Sequence, residues 1–277
     1  MSTILNKILK HKRDEIEHNK KIYPTAYLKT LPYYDSNCIS LKKYIKRKDK
    51  YGIIAEFKRK SPSRGWINPH LKARDISLGY MQAGASAVSV LTDKHYFAGE
   101  NFDLMEARKV NFSPILRKDF IIDEYQVHES KAIGADAILL IASALEKSQI
   151  SDLTELAHEL GMEVLFEIHN PKEFEEKYTN TIDMVGINAR DLHTFHVSVQ
   201  EAIRVKSFIP EGLPTIAESG IQSPEDYSAV KKAGFDGVLI GGYFMQQPSP
   251  VKACYNFVKQ IQGYSPVTEE NVQILGI

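Results

Sequence analysis

Ile53-Ile54-Ala55-Glu56-Phe57-Lys58-Arg59-Lys60-Ser61-Pro62-Ser63-Arg64-Gly65 begins as a strand and ends as a polar loop closed by glycine. Strand side chains alternate faces, so Ile54, Glu56 and Lys58 share one face and Ile53, Ala55 and Phe57 the other. The second face is wholly apolar, while the first carries an acid and a base near the strand's C-terminal end. A buried carboxylate or ammonium needs a partner, water or a bound molecule to offset its desolvation. A structural ion pair and a working acid–base pair both satisfy that need. This stretch alone does not choose.

Outward from it, the unit repeats. Short β-rich runs lie at 52–58, 85–91, 113–118, 136–141, 163–168, 184–188, 214–218 and 237–241. Amphipathic helical patterns fill the intervals near 73–83, 101–110, 123–132, 146–160, 171–177, 198–208, 223–233 and 249–262. Asp123, Ser148, Ser198 and Ser223-Pro224-Glu225 are typical of N-caps or first turns. Ala83-Gly84-Ala85, Ile133-Gly134-Ala135, Leu160-Gly161-Met162 and Ala233-Gly234-Phe235 end helices with glycine and start strands at once. Eight strands alternating with eight helices require parallel pairing with helical crossovers. No G-x-G-x-x-G follows the first strand, and an open doubly wound sheet has fewer units. The pattern predicts an α/β fold, a (β/α)8 TIM barrel with an extra N-terminal helix.

The chain reads as one domain over residues 1–277: a helical extension at 1–50, the barrel at 51–262 and a tail at 263–277. Within the extension, Ile4, Leu5, Ile8, Leu9 and Ile16 form a helical stripe over residues 3–20, predicting an amphipathic helix docked on the body. Residues 21–50 read as irregular, and the basic run Lys42, Lys43, Lys46, Arg47 and Lys48 as a solvated helix face.

Thirty-five acidic residues balance 35 basic ones, which argues against a nucleic-acid binder or an anionic-membrane binder. The two cysteines, Cys38 and Cys254, are far apart and lack metal-ligand spacing, which fits a reduced compartment. The longest apolar run, Ala137 to Leu145, is too short to span a bilayer, and the N-terminus lacks a signal peptide's apolar core. The expectation is a soluble, cytoplasmic monomer.

In a barrel of this kind the active site lies at the C-terminal ends of the strands. Those positions hold Glu56 and Lys58, Lys118, Glu167, Asn188 and Arg190, Glu218-Ser219-Gly220, and Gly241-Gly242. Each singly suits a solvated strand end; together they would converge on one mouth, as groups tuned for proton transfer do. The glycines follow strands seven and eight, where barrels often bind phosphate, though each also suits a tight turn. His193 and His196 have H-x-x-H spacing but no third ligand nearby, and read as loop residues. Tyr96 and Phe97 either cap the core or flank a flat, partly apolar substrate.

In order, Ile54-Ala55-Glu56-Phe57-Lys58-Arg59-Lys60-Ser61-Pro62-Ser63-Arg64-Gly65, Val90-Leu91-Thr92-Asp93 with Tyr96-Phe97, Leu116-Arg117-Lys118-Asp119-Phe120, Ile187-Asn188-Ala189-Arg190-Asp191-Leu192 and Ala217-Glu218-Ser219-Gly220-Ile221 closely resemble the indole-3-glycerol phosphate synthase family. Ile4-Leu5-Asn6-Lys7-Ile8 with Lys12-Arg13-Asp14-Glu15 looks like its extra helix, and the likeness covers about residues 3–262. The resemblance implies a metal-free, cofactor-free barrel acting on a phosphorylated small molecule, 1-(2-carboxyphenylamino)-1-deoxy-D-ribulose 5-phosphate. It implies Lys118 as general acid in condensation, Glu167 and Glu56 in proton transfer, and Lys58 as dehydration acid and phosphate contact. Asn188, Arg190 and Glu218 would orient substrate groups and the lysines. Ser61, Ser219, Gly220, Gly241 and Gly242 would hold phosphate. Phe97, Leu116, Phe120, Leu139, Ile141 and Leu192 would flank the aromatic ring.

Two positions depart from the family's usual residues: Gly99-Glu100 stands where Gly-Ser is common, and Gly242 where serine is common. An inward Glu100 would oppose anion binding. Phosphoribosylanthranilate isomerase is a neighbouring alternative, but it uses a cysteine–aspartate style pair and no strand end here has cysteine. A silent phosphate-binding barrel is another, and it has no need of paired acids and bases. The loop 60–65 would serve as a flap over the substrate.

Overall fold

Four helices end with one local device. Gly84, Gly134, Gly161 and Gly234 all take positive φ, between 77° and 102°. At the first of them the Gly84 N–H donates to Met81 O at 3.1 Å and the Ala85 N–H to Tyr80 O at 3.0 Å. The other three repeat this Schellman pattern. It satisfies the last carbonyls and turns the chain straight into a strand.

In the computed structural model, which describes residues 4–190 and 197–264, these units close into a barrel of eight parallel strands. The strands are β1 (Ile53–Phe57), β2 (Ala87–Leu91), β3 (Ile115–Lys118), β4 (Ala137–Ile141), β5 (Glu163–Ile168), β6 (Met184–Asn188), β7 (Thr215–Glu218) and β8 (Gly237–Ile240). Each pairs with its sequence neighbour and β1 closes against β8, with Ile53 opposite Val238. Aspartates at the lower rim tie successive strands. The carboxylates of Asp136, Asp183 and Asp236 accept the N–H of Ile115, Val164 and Thr215 at 2.7, 2.9 and 2.8 Å. Unpaired strand-start N–H groups are thereby satisfied inside the fold.

Alternation separates two cores. Ile53, Ala55 and Phe57 join the layer between strands and helices, whereas Ile54 joins Leu116, Leu139, Leu165 and Leu239 inside the barrel. Residues 21–50 are less irregular than the sequence suggests, since Thr25–Leu28 and Leu41–Ile45 are short helices. The second has a double character that the basic run concealed. Leu41 and Ile45 are buried and plug the barrel floor, while Lys42 and Lys46 stay half-exposed near Asp183 and Asp236. Helix α1 (Ile4–Ile22) docks as its stripe predicts, burying Ile8, Leu9 and Ile16. Its buried face also includes Lys12, a cation that the polar pattern had placed outside. No described helix is long and apolar enough to cross a membrane.

Candidate active site

Strand register brings the polar ends together. Leu91 pairs with Lys118, Ile141 with Glu167, and Asn188 with Glu218, so these side chains reach one level of the mouth. The Lys118 ammonium donates to Glu167 Oε2 and to Glu218 Oε2, both at 2.6 Å. Asn188 Nδ2 donates to the other Glu167 oxygen at 3.2 Å, and its Oδ1 accepts the Arg190 N–H at 3.1 Å. Lys58 Nζ donates to Glu56 Oε1 at 2.5 Å. These groups line one cavity of about 260 Å³ with Ser61, Arg64, Phe97, Phe120, Leu139 and Ile141. Gly220, Gly241 and Gly242 lie on the same wall.

Two glycines make room for the carboxylates. A Cβ on Gly186 would sit 2.0 Å from Glu218 Oε1, and one on Gly241 would sit 2.3 Å from Glu56 Oε1. Both distances are far inside van der Waals contact. Gly241 therefore makes room for the acid–base pair as well as lining the cavity beside it. Ser219 (φ 64°) and Gly220 (φ 82°) are successive left-handed residues. That backbone costs a non-glycine residue on the order of 1–3 kcal/mol, and such strain gathers at functional sites. Successive backbone N–H groups in such turns suit an anion.

The electrostatics are uneven. Burial opposes charge on Lys118, but Glu167, Glu218 and Glu56 outweigh it and raise its pKa. Burial drives the Glu218 carboxyl up, and neighbouring Glu167 adds to that while Lys118 opposes it. Burial pushes Glu167 the same way, yet Lys118, then His169, hold it below the usual range. Two buried carboxylates sharing one ammonium thus differ in proton affinity, which suits acid–base work. Burial and then Arg64 lower the Arg190 pKa, and both guanidinium side chains line the cavity.

Several expected residues lie elsewhere. Leu116 is fully buried inside the barrel and does not line the cavity, because it sits a strand period below Lys118. Leu192, His193 and His196 fall outside the described residues. Glu100 pairs with Lys94 at 3.2 Å and takes no part in the cavity wall. Cys38 and Cys254 are absent from that wall as well. The cavity also includes residues the strand-end reading missed: Ile4, Leu5 and Ile8 of α1, Arg64 and His169. The α1 stripe was legible, but its extension over the mouth was not. His169, two residues beyond Glu167, carried the only local signal, that of sharing its face.

The ring of Phe97 lies 6.1 Å from that of Phe120. Lys60–Ser61 and Gly65–Trp66 form a small antiparallel hairpin. Arg59 anchors its base, donating to both Asp103 carboxylate oxygens at 2.6 Å. Among the described residues, no group of three or more His, Cys, Asp or Glu is placed to hold a metal ion.

A family model described as indole-3-glycerol phosphate synthase matches residues 5–257. A relative so described from Bacteroides thetaiotaomicron is 44% identical over 263 residues, covering 95% of this chain and 100% of the relative. Another, from Thermoanaerobacter pseudethanolicus, is 38% identical over 262 residues, 94% and 99% of the two chains. Among solved structures, a tryptophan synthase α-subunit from Pyrococcus furiosus aligns with TM-score 0.57 at 14% identity, covering 78% of this chain and 99% of that one. At that identity the likeness speaks for the barrel fold alone.

Proposed function

The chain belongs to the indole-3-glycerol phosphate synthase family, and on that premise we propose how its mouth divides the reaction. The enzyme is a carboxy-lyase of tryptophan biosynthesis. It converts 1-(2-carboxyphenylamino)-1-deoxy-D-ribulose 5-phosphate to indole-3-glycerol phosphate, carbon dioxide and water. The observation that carries the assignment of roles is the single ammonium of Lys118 held between Glu167 and Glu218 at the cavity floor.

Ring closure needs the substrate carbonyl polarised and protonated as the aromatic carbon attacks. Lys118 is the donor for that step: the carboxylates around it keep it an ammonium in the resting site, so it can hydrogen-bond the carbonyl oxygen and protonate it as negative charge develops there. Loss of carbon dioxide then restores the electron pair to the ring. Dehydration requires an acid for the leaving hydroxyl and a base for a ring-side proton. Lys58, paired with Glu56, supplies the acid, and Glu167 and Glu56 carry the proton traffic. Glu218, Asn188 and Arg190 orient Lys118, Glu167 and the substrate's hydroxyl and carboxylate groups.

The phosphate rests against Ser61, Ser219-Gly220 and Gly241-Gly242, with Lys58 nearby. The aromatic ring lies among Phe97, Phe120, Leu139 and Ile141, with Leu116 packed behind them. The hairpin over 60–65 closes the mouth against water. The whole chain works as one catalytic unit, cytoplasmic and monomeric. Its exposed large apolar side chains include Trp66, Phe112 and Phe208, which lie far apart in the sequence.

Mixing the purified protein with the carboxyphenylamino-ribulose phosphate should produce indole fluorescence. A folded preparation yielding none would overturn the activity. A ligand-bound structure with phosphate away from Ser219-Gly220 and Gly241-Gly242 would overturn the phosphate site.

A further inference from the structure

His169 lines the cavity immediately after β5 with both ring nitrogens buried, yet neither of them makes a hydrogen bond among the described residues. Instead the imidazole lies between two carboxylates. Its Nε2 is 3.6 Å from Glu167 Oε1 and its Nδ1 is 3.5 Å from Glu173 Oε2. Glu173 is fixed in place. Its carboxylate accepts the His169 backbone N–H at 2.7 Å, and its own N–H donates to the Asn170 side chain at 3.0 Å. It also sits in the first turn of the helix Pro171–Lys177, where the helix dipole favours an anion. The charged groups facing the ring are therefore Glu167 on β5, Glu173 on the following helix and, farther away, Glu218 on β7.

This arrangement breaks a symmetry. Lys118 donates to Glu167 and Glu218 at the same 2.6 Å, so that contact alone does not decide which carboxylate is protonated. Two buried carboxylates on one ammonium favour holding one proton between them. The ion pairs of His169 among the described residues are with Glu167 and Glu173, on one side of that pair only. We infer that His169, as an imidazolium, is a positioning residue that keeps Glu167 ionised and leaves the shared proton on Glu218. Burial opposes charge on the ring, but Glu173, Glu167 and Glu218 outweigh it and raise its pKa. The inference rests on the reading of Glu167 as a proton-transfer group.

The test is the pH dependence of kcat and KM for the full-length protein, with His169→Asn and His169→Lys. Removing the charge should lower kcat roughly tenfold, the size of a one-unit change in the balance between the two carboxylates, with KM nearly unchanged. The acid limb of kcat should move to higher pH, because Glu167 then takes up a proton more readily. The lysine variant should return the limb and most of the rate. Equal losses in both variants with an unmoved acid limb, or no loss in either, would overturn the inference. Nitrogen-15 spectra of His169 in the unmutated protein give a readout independent of variant folding. Imidazolium at pH 7 is expected, and neutral imidazole there would overturn it. Glu167→Gln separates the two readings. Full turnover in that variant removes the assignment of Glu167 itself, whereas a dead Glu167→Gln with an unaltered His169→Asn removes only the role of His169.

Discussion

Lys118 concentrates two ion pairs of the mouth on one nitrogen. Lys118→Ala should reduce turnover by at least about 10³-fold, in the range spanned by losing a general acid together with its charge. Circular dichroism should still report a folded barrel. Glu218 already has a raised pKa, so the carboxylates left behind can neutralise by taking up protons. Near-normal turnover in that variant would remove Lys118 from its role. Gly186 allows a second test at the same scale. Its Cβ would collide with Glu218 Oε1, the free end of a side chain, rather than with backbone. Gly186→Ala should therefore push Glu218 off Lys118 and lower kcat on the order of 10-fold to 100-fold, with a modest change in melting temperature. Unaltered kcat would mean that the Glu218–Lys118 contact is dispensable. The identities of Glu56, Lys58, Lys118, Glu167 and Glu218 were readable at this scale, because period-two alternation assigns each to the inner face. Apart from Glu56 with Lys58, two residues away, the contacts among them were not, since they join residues 49 and 100 positions apart.

Among the elements, α1 is tied to the barrel by a buried cation. Lys12 is fully buried and lies 3.1 Å from Asp93 and 3.0 Å from Asp119, whose loops follow β2 and β3. Asp119 also pairs with Arg117, which is buried on the outer face of β3 and reaches Glu129 and Thr92. Removing one member of such a network leaves buried charge uncompensated, so Lys12→Met should cost about 3–5 kcal/mol in chemical denaturation. Burial alone would raise the Asp119 pKa, but Lys12, then Arg117 and Thr92, hold it well below the ordinary value. A depressed carboxylate stabilises the fold above its unfolded pKa, about 3.9 for aspartate, and that contribution fades as pH falls toward the folded value. The melting temperature of the unmutated protein should thus drop more steeply below about pH 4 than that of Lys12→Met. Parallel curves would mean that Lys12 does not set the Asp119 titration. The sequence pattern identified the α1 stripe, but it treats every lysine as a solvated one; only the acidic loops facing Lys12 explain its burial.

At the scale of the whole molecule, light scattering should give the mass of a single chain at micromolar concentration. A stable dimer would overturn the monomeric reading. The eightfold alternation, the glycine-terminated helices and the apolar strands were sufficient in sequence to specify a barrel, because each is a local preference repeated along the chain. The sequence also placed the acids, bases and glycines at strand ends, since side-chain alternation needs no knowledge of the partner strand. What tertiary structure alone decided is how those ends meet. Closure of β1 on β8 seats Glu56 against Gly241, strand register aims Lys118 at two carboxylates, and α1 forms part of the mouth. Closure also drops Leu116 below the cavity, seats Leu41 and Ile45 in the floor and brings His169 beside Glu167. These contacts join distant segments, and their geometry is set by closure and register, which no local preference encodes.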